Sequence, residues 1–147
     1  MNRQGADSRD RYRYFTVIQT RWMDNDVYRH VNNVVYYSYF DTVVNGYLLS
    51  RGVLDIEKSA VIGLVVETQC RYFSPISFPD VVHAGLRVAK LGTSSVRYEV
   101  GIFRNDDSLA AAQGHFVHVY VDSVGGRPVR LPENLRAALE SLLVTSA

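Results

Sequence analysis

The stretch HVNNVVYYSYFDTVVNGYLLSRG, positions 30 to 52, constrains the fold more than any other. Val31, Val34, Val35, Phe40, Val43, Val44, Tyr47 and Leu48 recur at spacings of 3, 4 and 7, which sets them on one helical stripe. Gly52 and its neighbours end the pattern. Yet the segment is rich in aromatic and β-branched residues, which are poor helix formers. Tertiary burial must therefore hold such a helix, and a curved sheet folded around it supplies that burial.

The remainder of the chain offers the strands. Tyr12 to Trp22 reads as one, with Tyr14, Thr16 and Ile18 on one face and Phe15 and Val17 on the other. After the helix and a polar connector from Asp55 to Ser59, further strands are expected over Ala60–Phe73, Val81–Leu91, Ser95–Phe103 and Leu109–Val121. The last of these is expected to carry a bulge at Gly114. SPISFPD, at 74 to 80, holds Pro75 and Pro79 and must be an irregular link. Pro132 to Leu143 reads as a short helix, with Leu135, Leu139 and Leu142 on one face and Glu133 near its positive end.

The order is strand, long helix, four strands, short helix. It predicts an α+β domain: a five-stranded antiparallel sheet wrapped around a long central helix, with a short C-terminal helix. No helices lie between the later strands to make parallel crossovers. A lipocalin-type barrel has no room for the early helix. An open sheet keeps its edges, and an edge is a natural place for a second subunit to join.

Length and charge narrow the function. The 147 residues fit one domain, placed at 12–147, with 1–11 (MNRQGADSRDR) read as a flexible polar arm. Sixteen Lys and Arg stand against 15 Asp and Glu, so the net charge of +1 gives no electrostatic case for nucleic acid. No apolar run reaches the ~20 residues of a membrane span. The first residues lack the apolar core of a signal peptide. The expectation is a soluble cytoplasmic protein. Cys70 is the only cysteine, which excludes an intrachain disulfide. The four histidines form no close His/Cys cluster, so no metal site is expected.

The chemistry points to MDNDVYRHVNN, positions 23 to 33. Asp24 would cap or brace this loop. Asp26, held in a partly dry cleft, has the equipment of a nucleophile or general base. A helix starting near Val31 presents unpaired backbone N–H groups, which suit the oxygen of a polarised carbonyl. Asp and Asn before a helix are also ordinary capping residues, so the two readings stand side by side. His30 serves either as a base or as a tie to the backbone. Asn32 and Asn33 would position substrate or water, or cap the helix. Asp41 and, less strongly, Glu67 are rival carboxylates. Cys70 is read as an inert thiol ahead of a nucleophile. His115 and His118 are three apart in a strand and so face opposite sides. Lys90, Arg97 and Arg104 are lone cations on or beside strands, able to meet phosphates or simply solvent.

DNDVYRHVNNVVYYSYFD, positions 24 to 41, resembles the signature of the 4-hydroxybenzoyl-CoA thioesterase family of hotdog proteins. YFSPISFPD at 72 to 80, KLGTSS at 90 to 95 and GRPVRLP at 126 to 132 are similar to later elements of that family, in the same order. The resemblance runs from Phe15 to Leu143. It implies a hotdog fold and hydrolysis of an acyl-CoA thioester to free acid and CoA. The coenzyme A is then part of the substrate and no other cofactor is needed. Asp26 matches the catalytic aspartate, acting as nucleophile or general base, with His30 beside it. The backbone N–H of Asn33 would polarise the thioester carbonyl. The turn bearing Lys90, Gly92, Ser94 and Ser95 would meet the nucleotide end of coenzyme A. Homodimers that pair into tetramers, with sites at the dimer interface, are also implied.

One departure matters. The family usually has glycine where this chain has Arg29, and a left-handed backbone there is costly for arginine. Arg29 puts the substrate class in doubt. It supports a competing reading, a non-catalytic acyl or CoA-binding module on the same fold. An enoyl thioester hydratase is a third.

Overall fold

The computed structural model describes residues 5–55 and 57–144. Strands β1 (Tyr14–Gln19), β2 (Val61–Tyr72), β3 (Val81–Leu91), β4 (Ser95–Arg104) and β5 (Ala112–Asp122) form one antiparallel sheet in the order β1-β3-β4-β5-β2. Helix α1 (Val35–Ser50) lies between β1 and β2 in sequence, and α2 (Glu133–Glu140) follows β5. β3, β4 and β5 are neighbours joined by short turns. The segment containing α1 leaves one edge strand and returns as the other, so β1 and β2 flank the meander. This is the hotdog arrangement.

Burial explains how so poor a helix former persists. Phe40, Val43 and Val44 are fully buried and pack in one cluster with Leu86, Val88, Val96, Tyr98, Val100 and Ile102 of β3 and β4. Each such side chain contributes roughly 1.5–3 kcal/mol on burial. The propensity deficit is at most about 0.7 kcal/mol per residue, so packing wins.

The helix starts at Val35, later than the pattern near Val31 suggests. The intervening residues have other partners. Val31 N–H donates to Ile76 O at 2.7 Å, and Asn32 N–H to Asp24 O at 2.9 Å. Val34 therefore stands exposed instead of in the core stripe, while Tyr36 and Tyr39 are buried in its place. At the other end, α2 is shorter than 132–143. Leu142 N–H still donates to Leu139 O at 3.0 Å. Val144 N–H then donates to Val88 O at 3.0 Å, drawing the chain onto β3.

Gly114 is not at a bulge. The register of β5 with β4 runs through it unbroken, and Gly114 pairs regularly with Cys70 of β2; the irregularity in that pair of strands lies farther along β2, between Val65 and Glu67. A Cβ at Gly114 would meet Gln69 O at 1.9 Å, so close backbone approach is what demands glycine there.

Within the segment read as an arm, Asp7 and Arg9 make hydrogen bonds to the rest of the domain. Residues 1–4 lie outside the described residues. Asp7 N–H donates to Gln113 Oε1 at 2.7 Å, and the Arg9 guanidinium reaches Asp107 O, Asn105 O and His83 Nδ1 at 2.6 to 2.7 Å. Tyr12 is buried against Phe103.

The two edge strands are the least buried: neither β1 nor β2 has a buried residue, and in β2 Ile62, Leu64, Val65 and Val66 are exposed.

Candidate active site

The loop between β1 and α1 is folded back on itself. Asn25 and Val31 form an antiparallel bridge, Asp26 N–H donates to His30 O at 2.9 Å, and Arg29 N–H donates to Asp26 O at 3.0 Å. Residues 24–26 thus run beside 30–32. The link before β3 clamps this hairpin from outside: Phe78 N–H donates to Asn25 Oδ1 at 3.0 Å and the Ser77 hydroxyl to Arg29 O at 2.7 Å.

Asp24 is the brace. It is buried, pairs with the Arg21 guanidinium at 2.9 Å, accepts Arg21 N–H at 2.8 Å, and accepts the Tyr39 hydroxyl at 3.3 Å. With its carboxylate so occupied, it fixes the loop to α1 and leaves the open carboxylate of the pair to Asp26.

Asp26 is half-buried. Its Oδ1 accepts Tyr28 N–H at 2.8 Å, which orients the carboxylate, and Oδ2 has no donor among the described residues. A carboxylate held by one oxygen and open at the other can face a ligand. His30 meets Asp26 through its backbone. Its imidazole is exposed and makes no hydrogen bond among the described residues, so the structure does not bring that ring onto the Asp26 carboxylate.

Asn33 lies just before α1, not within its first turn. Val35 N–H donates to Asn32 O at 2.9 Å, fixing the peptide whose N–H belongs to Asn33. The Tyr72 hydroxyl and Tyr36 N–H both reach Asn33 O, at 3.0 and 3.3 Å. The Asn33 N–H itself has no acceptor among the described residues. Asn32 closes a side-chain turn ahead of α1, not a helix cap: its Oδ1 accepts Val34 N–H at 3.1 Å.

Arg29 takes the left-handed conformation, φ 67°, and its side chain is exposed. The strain that the sequence foretells for arginine at this turn is therefore real.

The turn after β3 is tightly held. Gly92 N–H donates to Ser95 O at 2.8 Å, and a Cβ on Gly92 would meet Ser95 Oγ at 2.6 Å. Arg136 of α2 donates to Gly92 O at 2.7 Å, and Leu131 N–H to Thr93 O at 2.9 Å. Lys90 is exposed beside it, while Ser94 and Ser95 are half-buried.

The rival groups lie elsewhere. Asp41 is exposed on α1, although partial burial raises its carboxyl above the usual range. Glu67 is bonded to His115 at 2.7 Å on the far side of the sheet. Burial pushes the half-buried Cys70 thiol up to about 11, which keeps it protonated and inert. His115 and His118 do face opposite sides: His118 packs on Tyr98 and Phe116 in the helix-facing layer. Sequence reasoning missed Tyr39 and Tyr72. Their hydroxyls tie α1 and β2 to the loop, and a tyrosine in an apolar run looks like ordinary core. Among the described residues, no group of three or more His, Cys, Asp or Glu is placed to hold a metal ion. No helix there is long and apolar enough to cross a membrane.

Residues 20–139 match the family model described as the thioesterase-like superfamily. Comparison with curated proteins returns no match. Among solved structures, the PA5185 protein of Pseudomonas aeruginosa PAO1 is 51% identical, with a TM-score of 0.94 over 97% of this chain and 99% of its own. A thioesterase from Thermus thermophilus, complexed with coenzyme A and Zn, is 32% identical over 89% of this chain and 95% of its own, with a TM-score of 0.75. The PA2801 protein of Pseudomonas aeruginosa is 30% identical over 86% of this chain and 98% of its own, with a TM-score of 0.81. The family model covers most of the chain, these structures share its hotdog fold nearly end to end, and the chain belongs to the thioesterase-like superfamily.

Proposed function

We propose that this protein hydrolyses an acyl-CoA thioester to the free acid and CoA at the Asp24–Asn33 loop. The carrying observation is the Asn33 N–H, held by two fixed peptides and left without an acceptor, on the same pinned loop as a carboxylate with one open oxygen. In this reading the thioester oxygen takes the Asn33 N–H, which stabilises the charge that develops as the carbonyl is attacked. Asp26 either attacks the carbonyl carbon or takes a proton from the attacking water. His30 is a candidate base beside Asp26, its ring exposed and its backbone O accepting Asp26 N–H.

The coenzyme is the leaving group. The Thermus relative was complexed with coenzyme A, which supports a CoA thioester over other esters. The nucleotide end is assigned to Lys90, Gly92, Ser94 and Ser95, whose turn is rigid and bordered by an exposed cation.

Two copies are proposed to join along β2. An edge strand with exposed Leu64, Val65 and Val66 is an aggregation hazard when left uncovered. A second copy pairing there would continue the sheet, and dimers would pair further into tetramers.

Thiol release over a panel of acyl-CoA thioesters tests the activity. Asp26→Asn is expected to lower turnover by roughly 10²–10⁴-fold, the range for a lost general base. A folded variant with normal turnover would sink the assignment of Asp26. The Arg29 strain favours one second reading, a binding module without turnover. Saturable CoA binding with no thiol release from any thioester would establish it.

A further inference from the structure

The face of the sheet opposite α1 carries a cavity of about 290 Å³ that shares no residue with the Asp24–Asn33 loop. Its position follows from strand alternation. Val96, Tyr98 and Val100 point into the core around α1, so Arg97 and Glu99 point the other way. Arg87 of β3, Arg97 and Glu99 of β4, His115 of β5 and Arg71 of β2 all line it.

The acids of this cavity are already engaged. Glu99 accepts Arg87 Nε at 2.8 Å through one oxygen and Arg97 Nε at 3.1 Å through the other. Asp7 accepts the Tyr12 hydroxyl at 2.9 Å and pairs with Arg87 at 3.1 Å. Glu67, at the margin, is bonded to His115. Arg87 is committed as well, with its third nitrogen on Arg11 O at 3.1 Å, and it is largely buried.

Two guanidiniums are not committed. Arg97 uses only Nε, and its side chain is 38% exposed. Arg71 lies over the Phe73 ring at 5.5 Å and has no acceptor among the described residues. The cations dominate the local field: Arg87 and Arg97 hold the Glu99 carboxyl below its usual range against the opposing effect of burial. What the cavity offers a ligand is therefore positive charge and N–H donors.

We propose that this cavity is a second ligand site, for a small molecule bearing a carboxylate or phosphate oxyanion, held by Arg71 from β2 and Arg97 from β4. A guanidinium fork matches either oxyanion with paired N–H donors. The volume stands at the lower end of small-molecule sites, about 300 Å³, which selects a small ligand over a whole nucleotide thioester. A ligand there would tie the edge strand β2 to the middle of the sheet across β5.

Calorimetric titration of the full chain at constant ionic strength, with inorganic phosphate and separately with succinate, tests the site. Saturable binding of at least one is expected. Arg71→Gln with Arg97→Gln should weaken it by about tenfold or more, the loss of two charge-assisted contacts. Asp26→Asn should leave it unchanged. Arg71→Gln alone removes no ion pair and keeps the test readable if Arg97→Gln disturbs Glu99. Competition by CoA in the Asp26→Asn protein would make the cavity part of the coenzyme's own site and overturn a separate small-ligand site. Binding undisturbed by CoA would assign the cavity to a free anion. No saturable binding of either probe, or binding equally tight in the Arg71→Gln and double variants, overturns the site.

Discussion

The Tyr72 hydroxyl donates to Asn33 O at 3.0 Å, joining the end of edge strand β2 to the turn that leads into helix α1. The contact spans 39 residues of sequence. It fixes the peptide next to the one whose N–H is assigned to the thioester oxygen. We predict that Tyr72→Phe lowers stability by about 1 kcal/mol, a net hydrogen bond, and lowers kcat more than it raises KM. Steady-state kinetics and a denaturant melt measure both. A kcat equal to that of the parent would show that the Asn33 peptide needs no such tie.

Asp24 offers a sharper stability test. It is buried at 1% exposure, while its partner Arg21 is 65% exposed, so the Coulomb part of the pair is screened by water. The buried carboxylate still gathers donors from the loop backbone, from Arg21 and from Tyr39. Asp24→Ala leaves those donors without their acceptor, and we predict a loss of about 1–3 kcal/mol. Urea unfolding checks it, and a midpoint unchanged from the parent would refute the bracing role.

Arg29 should respond in the opposite direction. Its left-handed backbone costs roughly 1–2 kcal/mol for a residue with a Cβ. Glycine removes that cost, although it also gains entropy in the unfolded chain. The prediction for Arg29→Gly is a stability equal to or up to about 1 kcal/mol above the parent. If the protein instead melts lower, the arginine side chain makes a stabilising contact in solution. Turnover on neutral and acidic acyl groups, compared between the two proteins, shows whether Arg29 reads charge.

His118 sets a pH limit. Its ring is buried among Tyr98, Phe116 and Tyr120, and its Nε2 has no hydrogen-bond partner among the described residues. Burial lowers its pKa from the ordinary 6.5 to about 4. Between those values the unfolded chain binds a proton that the folded chain refuses. The full stability is therefore present above about pH 6.5 and falls as the pH drops toward 4, by up to ~3 kcal/mol. We predict that His118→Phe flattens this slope. Unfolding midpoints at pH 7 and pH 4.5 decide it, and equal slopes in the two proteins would remove His118 as the cause.

Much of this molecule is legible before any coordinates. The apolar spacing from Phe40 to Leu48 locates the core face of α1, and alternation at Val96, Tyr98, Val100 and Ile102 fixes the faces of β4. These succeed because periodicity reports burial directly, and burial is the largest favourable term. Asp24, Asp26 and Asn33 are visible as candidates, but Asp and Asn before a helix are also ordinary capping residues. The residue types leave both readings open, and only the family resemblance singles out Asp26 and Asn33.

The tertiary structure alone decided where the helix begins and which acid remains open. Val31 and Asn32 fit a helical pattern, but their N–H groups are taken by Ile76 and Asp24, partners that folding brings to them. No local propensity records that competition. The same holds for the contacts of Asp7, Arg9 and Tyr12, for the tyrosine hydroxyls on Asp24 and Asn33, and for the outer cavity. Each depends on hydrogen bonds or ion pairs between residues distant in sequence, and a one-dimensional pattern carries the period of an element but not the identity of what it meets.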